Sequence, residues 1–422
     1  MATTQLYYAT NRHYRGRDRW KPTGYGPESS EDGTENLRFG LVTIRYDHAT
    51  VAGYLADDCG FGAGNGEKLS RYFYGQRSKA TINAFAEELS KEANESDQPR
   101  GKLGSSRAFS ELQAKMNRGD HVLIFVHGPN MNWWEAVASA LSLQCMLNRH
   151  CGGEASPHQS PRVHVVLFAW PSGDRKIPRW SYFSDRSDAK LSGYALGRGL
   201  LKLRDYLLHA RRLARQKGEP PCGRSIHLLC HSMGNYVLQN ALERTAKFSV
   251  GGRLPRIFQQ IFLCAADVSA DVFQPGEPFH RLAEMAEAVT IYHNRRDPTL
   301  PHSDYAKGAT ARLGWDGAEW PAYLPDRAHQ VDCSRLVSGV IEHSYYHCGA
   351  VNDDIRQTIE GMPRTRATTP ANPPVTGGRM SGVLQIDRER RPEVLSRSRP
   401  HGSRARCRWC QPVRRACRAG TA

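Results

Sequence analysis

No run of apolar residues in this chain approaches the roughly 18 that a membrane-crossing helix needs. A transmembrane segment is therefore not expected. The start, Met1-Ala2-Thr3-Thr4-Gln5, lacks a basic stretch followed by an apolar one, so a secretory signal is not expected either. Framework spacing is missing from the cysteines. There are 11, an odd number, and Cys145, Cys230 and Cys264 fall inside strand-like or helix-like runs. That pattern suits buried thiols in a reducing cytoplasm better than a disulfide scaffold. Metal spacing is also missing. His343 and His347 are four apart, but no H-E-x-x-H accompanies them. Cys407-Arg408-Trp409-Cys410 with Cys417 lacks a fourth ligand in a matching spacing. No metal and no cofactor is expected, and no internal repeat is visible.

What is present is unevenly distributed. The net charge is +16 over 422 residues. Residues 361–422 hold 14 Arg, no Lys and three acidic residues, a net of +11, which leaves +5 on the first 360 residues. Basicity thus belongs to the tail and not to the body, so nucleic acid is not the expected partner. If the tail did bind a polyanion, that binding would weaken steeply with salt. After about residue 361, Pro, Thr, Gly, Ser and Arg dominate without an apolar period, and residues 362–422 read as disordered.

Upstream the patterning is rich. Residues 6–10 and 41–44 read as strands, with a polar loop over 24–36 between them and helix candidates at about 80–91 and 107–116. From residue 119 apolar strands alternate with helices. Strands are expected at 122–126, 163–169, 225–230, 261–264 and 289–292. Helices are expected at 132–147, from 189 to about 216, from 233 to about 246, and near 279–286. Residues 170–188 read as a long aromatic and charged loop. Buried strands alternating with helices predict an α/β architecture with a mostly parallel sheet covered on both faces. Ligand sites in such sheets lie at the carboxyl ends of the strands. The division expected is an N-terminal extension packed on the core (1–118), a catalytic core (119–361) and the tail.

One junction concentrates the chemistry. The strand ending at Cys230 passes through His231-Ser232-Met233-Gly234-Asn235 straight into an apolar-periodic helix. A serine on a sharp strand-to-helix turn with small neighbours is the pattern of a nucleophile elbow, with the next backbone N–H groups at a helix N-terminus. A solvent-facing N-cap serine would need only the helix. The chain order of a hydrolase triad then requires an acid after a late strand and a histidine near the end of the domain. Asp297 and His343 fit, ahead of their rivals Asp267 and His347. A serine hydroxyl needs a base in contact, an imidazole takes its proton near neutral pH, and a carboxylate holds the tautomer. The Met233 N–H and the Asn130 region are the expected oxyanion donors. Trp133, Trp170 and Tyr182 are expected to line an apolar acyl pocket, and His127 to brace its loop.

In order along the chain stand Tyr8-Ala9-Thr10-Asn11-Arg12, His127-Gly128-Pro129-Asn130, Trp170-Pro171-Ser172-Gly173, the elbow, Ala265-Ala266-Asp267-Val268 with Asp271-Val272-Phe273, and His343-Ser344-Tyr345. Over about residues 5–355 this set resembles a bacterial alpha/beta-hydrolase family of unknown function. The resemblance implies the alpha/beta-hydrolase fold, a Ser–Asp–His esterase-like site, a small acyl-ester substrate and no metal. Two residues depart from it. Cys230 stands where the elbow usually has glycine, and Pro129 stands where the residue after His-Gly usually donates its N–H. Proline has no N–H to give. The competing expectation is therefore a degraded hydrolase that binds without turning over.

Overall fold

The computed structural model describes residues 1–56, 64–86, 103–149, 161–173, 178–218, 225–300, 311–336, 343–361 and 383–385, with backbone alone for 178–182 and 383–385. The expected strands and helices assemble around one ten-stranded sheet. At its centre are β6 (His121–Val126), β7 (Val163–Ala169), β8 (Ile226–His231), β9 (Phe258–Cys264) and β10 (Ala286–His293). Every residue of β8 is buried, as befits a strand covered on both faces.

The sheet also recruits the N-terminal segment. β1 (Ala2–Thr10) pairs parallel with β7, and β4 (Arg38–Tyr46) pairs antiparallel with β1. β2 (Arg12–Arg15) and β3 (Gly24–Ser29) form a separate antiparallel pair between them in sequence. Residues 1–46 therefore contribute strands to the central sheet itself and not only a layer packed on it.

Five local expectations change. The polar loop expected over 24–36 begins with β3, Gly24–Ser29. Residues 80–84, expected to be helical, form β5 (Ala80–Ala84) antiparallel to β4. Their burial alternates with period two, and β-branched Thr81 and Ile82 suit a pleated edge. Residues 87–91 of that expected helix lie outside the described residues. The loop expected over 170–188 is helical from 178 onward, because α5 (Pro178–Gln216) begins on a proline, whose fixed φ suits a first helical position. Near 279–286 the structure has a 3-10 turn over Pro278–Glu284 instead of an α-helix. At the far edge, β11 (Ala328–Asp332) pairs parallel with β10, and β12 (Val383–Gln385) pairs parallel with β11. β12 places three residues of the expected disordered tail in the sheet, and the rest of that tail lies outside the described residues.

Helices cover both faces. α3 (Gly104–Asn117), α5 and α6 (Gly234–Lys247) bury one set of strand side chains, including Val122, Leu228, Ile261 and Val289. α1 (His48–Ala56), α2 (Gly66–Gly75), α4 (Trp133–Leu147) and α7 (Gly349–Ile359) lie on the side of the alternate set, including Leu123, Leu229, Phe262 and Tyr292. The two sets follow the period-two alternation of strand side chains. Among the described residues no helix is long and apolar enough to cross a membrane.

Topology locates the crevice. The chain moves from β6 outward to β7, then returns to place β8 on the other side of β6. This reversal is the position at which an open α/β sheet forms a ligand crevice beyond its strand ends. The loop after β6 and the turn after β8 both leave the sheet there.

Candidate functional site

Ser232 sits on the turn between β8 and α6 with φ of +52°, a left-handed conformation that is uncommon outside glycine. Its N–H donates to the Cys264 carbonyl at 2.9 Å, tying the bend to β9. Close packing dictates the neighbours. A Cβ on Gly234 would lie 2.6 Å from the Val126 carbonyl oxygen, and one on Gly128 would lie 3.1 Å from the Ser232 Cβ. Cys230, in place of the usual glycine, is fully buried against the α5 and α6 side of the sheet. Burial holds its thiol well above the usual pKa, so it packs as a small apolar group.

Asp297 and His343 meet, although 46 residues separate them. The His343 Nδ1 lies 2.7 Å from Asp297 Oδ2. A carboxylate accepts only, so Nδ1 carries the proton and Nε2 keeps its lone pair. Asp297 is 1% exposed, and its other oxygen accepts the Thr299 N–H at 2.8 Å. The rivals are engaged elsewhere. The Asp267 carboxylate faces the Arg312 guanidinium at 3.6 Å, both groups buried. The His347 ring lies between the Ser139 carbonyl (3.2 Å) and Glu67 (3.3 Å).

The segment from 343 to 347 is fixed from several elements at once. His231 Nε2 donates to the His343 carbonyl at 3.1 Å. Tyr345 donates to the Tyr292 carbonyl at 2.6 Å and accepts from the Ala265 N–H at 2.5 Å. The Tyr346 hydroxyl meets that of Ser139 at 2.8 Å. Glu67 on α2 bonds Ser344 and His347. Burial opposes its ionisation, but those bonds and the His347 charge hold its carboxyl below the usual range.

The loop after β6 is equally constrained. His127 Nδ1 donates to the Gly128 carbonyl at 2.7 Å, and Trp170 donates to the His127 carbonyl at 2.8 Å while stacking on its ring. Asn132 closes the loop as the N-cap of α4, in a capping box with Glu135. The Asn130 N–H donates to Asp185 Oδ2 at 2.7 Å. This corrects the expectation for Asn130 as far as its backbone N–H is concerned. Its backbone donor is committed to a carboxylate, and its side chain is exposed. Among the described residues the Met233 N–H has no protein acceptor.

Two of the aromatic expectations are corrected as well. Trp133 is 1% exposed and packs against Tyr8 and Tyr25 inside the core. Trp170 is fully buried as the brace just described. Their place beside site motifs in the sequence reflects packing beneath the loops. The Tyr182 side chain lies outside the described residues.

Several participants were not singled out from the sequence. Arg12, fully buried, donates to the carbonyls of Met131 (2.7 Å), Ser172 (3.2 Å) and Gly26 (3.3 Å). Burial lowers its pKa to about 9, while Asp185, Glu135, Asp188 and Glu28 act to raise it. Asp185 on α5 also faces the Gly173 N–H at 3.4 Å. Arg12 and Asp185 thus pin the loops after β6 and β7 together. No sequence spacing announces this, because the partners stand far apart along the chain. Among the described residues no group of three or more His, Cys, Asp or Glu could hold a metal ion.

Fold and site together define an alpha/beta hydrolase. The model of the alpha/beta hydrolase family of unknown function DUF900 matches residues 105–350, more than half of the chain. The chain belongs to that family and so stands among the hydrolases in the general sense. No curated protein matches it.

Two predictions arise from these buried charges. Leaving a buried group without its hydrogen-bond partner costs about 1–3 kcal/mol, and Arg12 serves the carbonyls of Met131, Ser172 and Gly26. Arg12→Met should lower unfolding stability by about that amount in urea titrations. The second concerns acid. Burial, reinforced by nearby positive charge, depresses the folded-state pKa of His127 and His227 to about 3 and that of His231 well below its ordinary value. The unfolded chain binds those three protons as pH falls through about 6.5, and the folded chain does not. Stability should therefore be full above about pH 6.5 and decline below it. Each histidine contributes a slope of up to about 1.4 kcal/mol per pH unit. Denaturant titrations from pH 7.5 to 5 check this, and His127→Gln should flatten the slope by roughly one histidine's share.

Proposed function

We propose that this hydrolase is a serine hydrolase acting on an ester or related acyl bond of a small substrate. Ser232 attacks the carbonyl, and His343 Nε2 takes the proton and returns it to the leaving group. Asp297 holds the His343 tautomer and stabilises the imidazolium. An acyl-enzyme forms, and water releases it. The observation that carries the reading is the left-handed serine at the reversal of the sheet, together with a histidine already bonded through Nδ1 to a buried carboxylate.

In this reading the oxyanion is stabilised mainly by the Met233 N–H, at the start of α6 where the helix dipole favours negative charge. The usual second donor is absent. The Gly128 carbonyl is held by His127, and across that peptide Pro129 has a ring in place of an N–H. The next N–H, from Asn130, is bonded to Asp185. A missing donor costs about 100- to 1,000-fold in turnover, so the enzyme is a slow one on simple esters.

The same two observations favour a second reading, a binding protein on a hydrolase frame that has lost turnover. Hydrolysis of p-nitrophenyl acyl esters separates the two. On the enzyme reading the folded wild-type chain has activity that Ser232→Ala abolishes. Pro129→Ala raises kcat by 10-fold or more, in the range set by one oxyanion donor. Activity unchanged in Ser232→Ala refutes Ser232 as nucleophile. No activity in either the wild type or Pro129→Ala leaves the binding reading standing.

A further inference from the structure

The residue before the nucleophile has chemistry that the triad does not use. His231 is 4% exposed, on the last position of β8. Its Nε2 donates to the His343 carbonyl at 3.1 Å, and the two rings meet edge to face with centroids 4.9 Å apart. The Tyr346 ring closes another side at 4.8 Å. Below it, a Cβ on Gly128 would lie 2.9 Å from His231 Nδ1, so only glycine leaves room for this ring beside the elbow. A carbonyl oxygen can only accept, which fixes the tautomer with the proton on Nε2. Among the described residues Nδ1 is then a buried lone pair without a partner. Such an arrangement carries a desolvation cost that an apolar side chain would avoid.

We propose that His231, the residue before Ser232, is a positioning residue: its ring ties the His343 backbone and braces the His343 imidazole, setting the distance over which the proton from Ser232 moves. The proposal rests on the reading of His343 as the general base. One amino acid thereby links nucleophile and base through covalent neighbourhood on one side and a hydrogen bond on the other. The tie matters because residues 345–347 are anchored at other points, while among the described residues His343 is hydrogen-bonded to Asp297 and His231 alone.

The brace works because it does not compete for the proton. Burial first, then the neighbouring His343, His347 and His127, keep His231 neutral well below the ordinary histidine range. Asp297 faces His343 at Nδ1. A charged ring in the position of His231 would oppose the imidazolium that forms on His343, and a neutral one does not.

Fluorophosphonate labelling of Ser232 in the full chain, with rate constants measured from pH 6 to 9, tests the proposal. A displacement of about 1 Å in a reacting group costs on the order of 100-fold. His231→Leu should label about 100-fold more slowly, with its pH midpoint displaced. His231→Gln, whose amide N–H spans the same distance from Cβ, should restore the rate to within about 10-fold and return the midpoint. His343→Ala should not label. If His231→Leu labels like the wild type with an unchanged midpoint while His343→Ala does not, the brace is wrong and the base assignment stands. If His231→Gln is as slow as His231→Leu, the hydrogen bond is not the cause and the proposal falls. Normal labelling of His343→Ala overturns the base assignment and the brace with it. Should His231→Leu not fold, His231→Asn, too short to reach the carbonyl, replaces it with the same expected loss.

Discussion

A serine held at φ +52° between β8 and α6 is the constraint around which the rest is arranged. The bend brings the start of α6 against the end of β6, so residue 234 has to be glycine. It also brings the loop after β6 over the serine, so residue 128 has to be glycine too. The absent side chain at 128 leaves room for both the Ser232 Cβ and the His231 ring, and the one at 234 lets the helix start close on the backbone of Val126 and His127. Strain of this kind, of order 1–3 kcal/mol per residue, persists only where surrounding contacts determine the backbone. Here those contacts are the Ser232 N–H to Cys264 bond and the Asn235 amide, which reaches the carbonyls of Cys230, Ser232 and Cys264.

Around the bend the protein uses buried polar groups as fasteners. Arg12 and Asp185 come from β2 and from α5, and together they hold the loops after β6 and β7. The His343 segment is tied to the sheet, to α4 and to α2. Low local dielectric makes each such bond strong when satisfied and costly when broken. The acid sensitivity predicted above and the bracing of the site therefore share one cause: histidines buried without charge resist protonation only while the fold persists.

The sequence made legible those features whose signals are local. Continuous apolar runs marked β6, β8 and β10, and small residues around Ser232 marked the bend. Chain order picked out Asp297 and His343, which the fold brings within a hydrogen bond. Features that depend on partners far along the chain were not legible. Asp185 looked like one charge in a polar loop until α5 carried it to Asn130. Glu67 lay in a segment read as an extension, and it contacts the far end of the core. Trp133 and Trp170 were misread because an aromatic residue beside a site motif looks the same whether it faces a pocket or the layer beneath. Residues 80–84 were misread because a short segment with one or two apolar positions fits either period.

The central claim is that Ser232 becomes covalently acylated. Mixing the protein with an activated acyl ester, quenching in acid within the first turnover and measuring intact mass with peptide mapping tests it directly. The account predicts a single acyl group carried on the peptide that contains Ser232, present at the quench and lost at longer times. Turnover of the ester with no acyl adduct, or with the adduct on another residue, would contradict it.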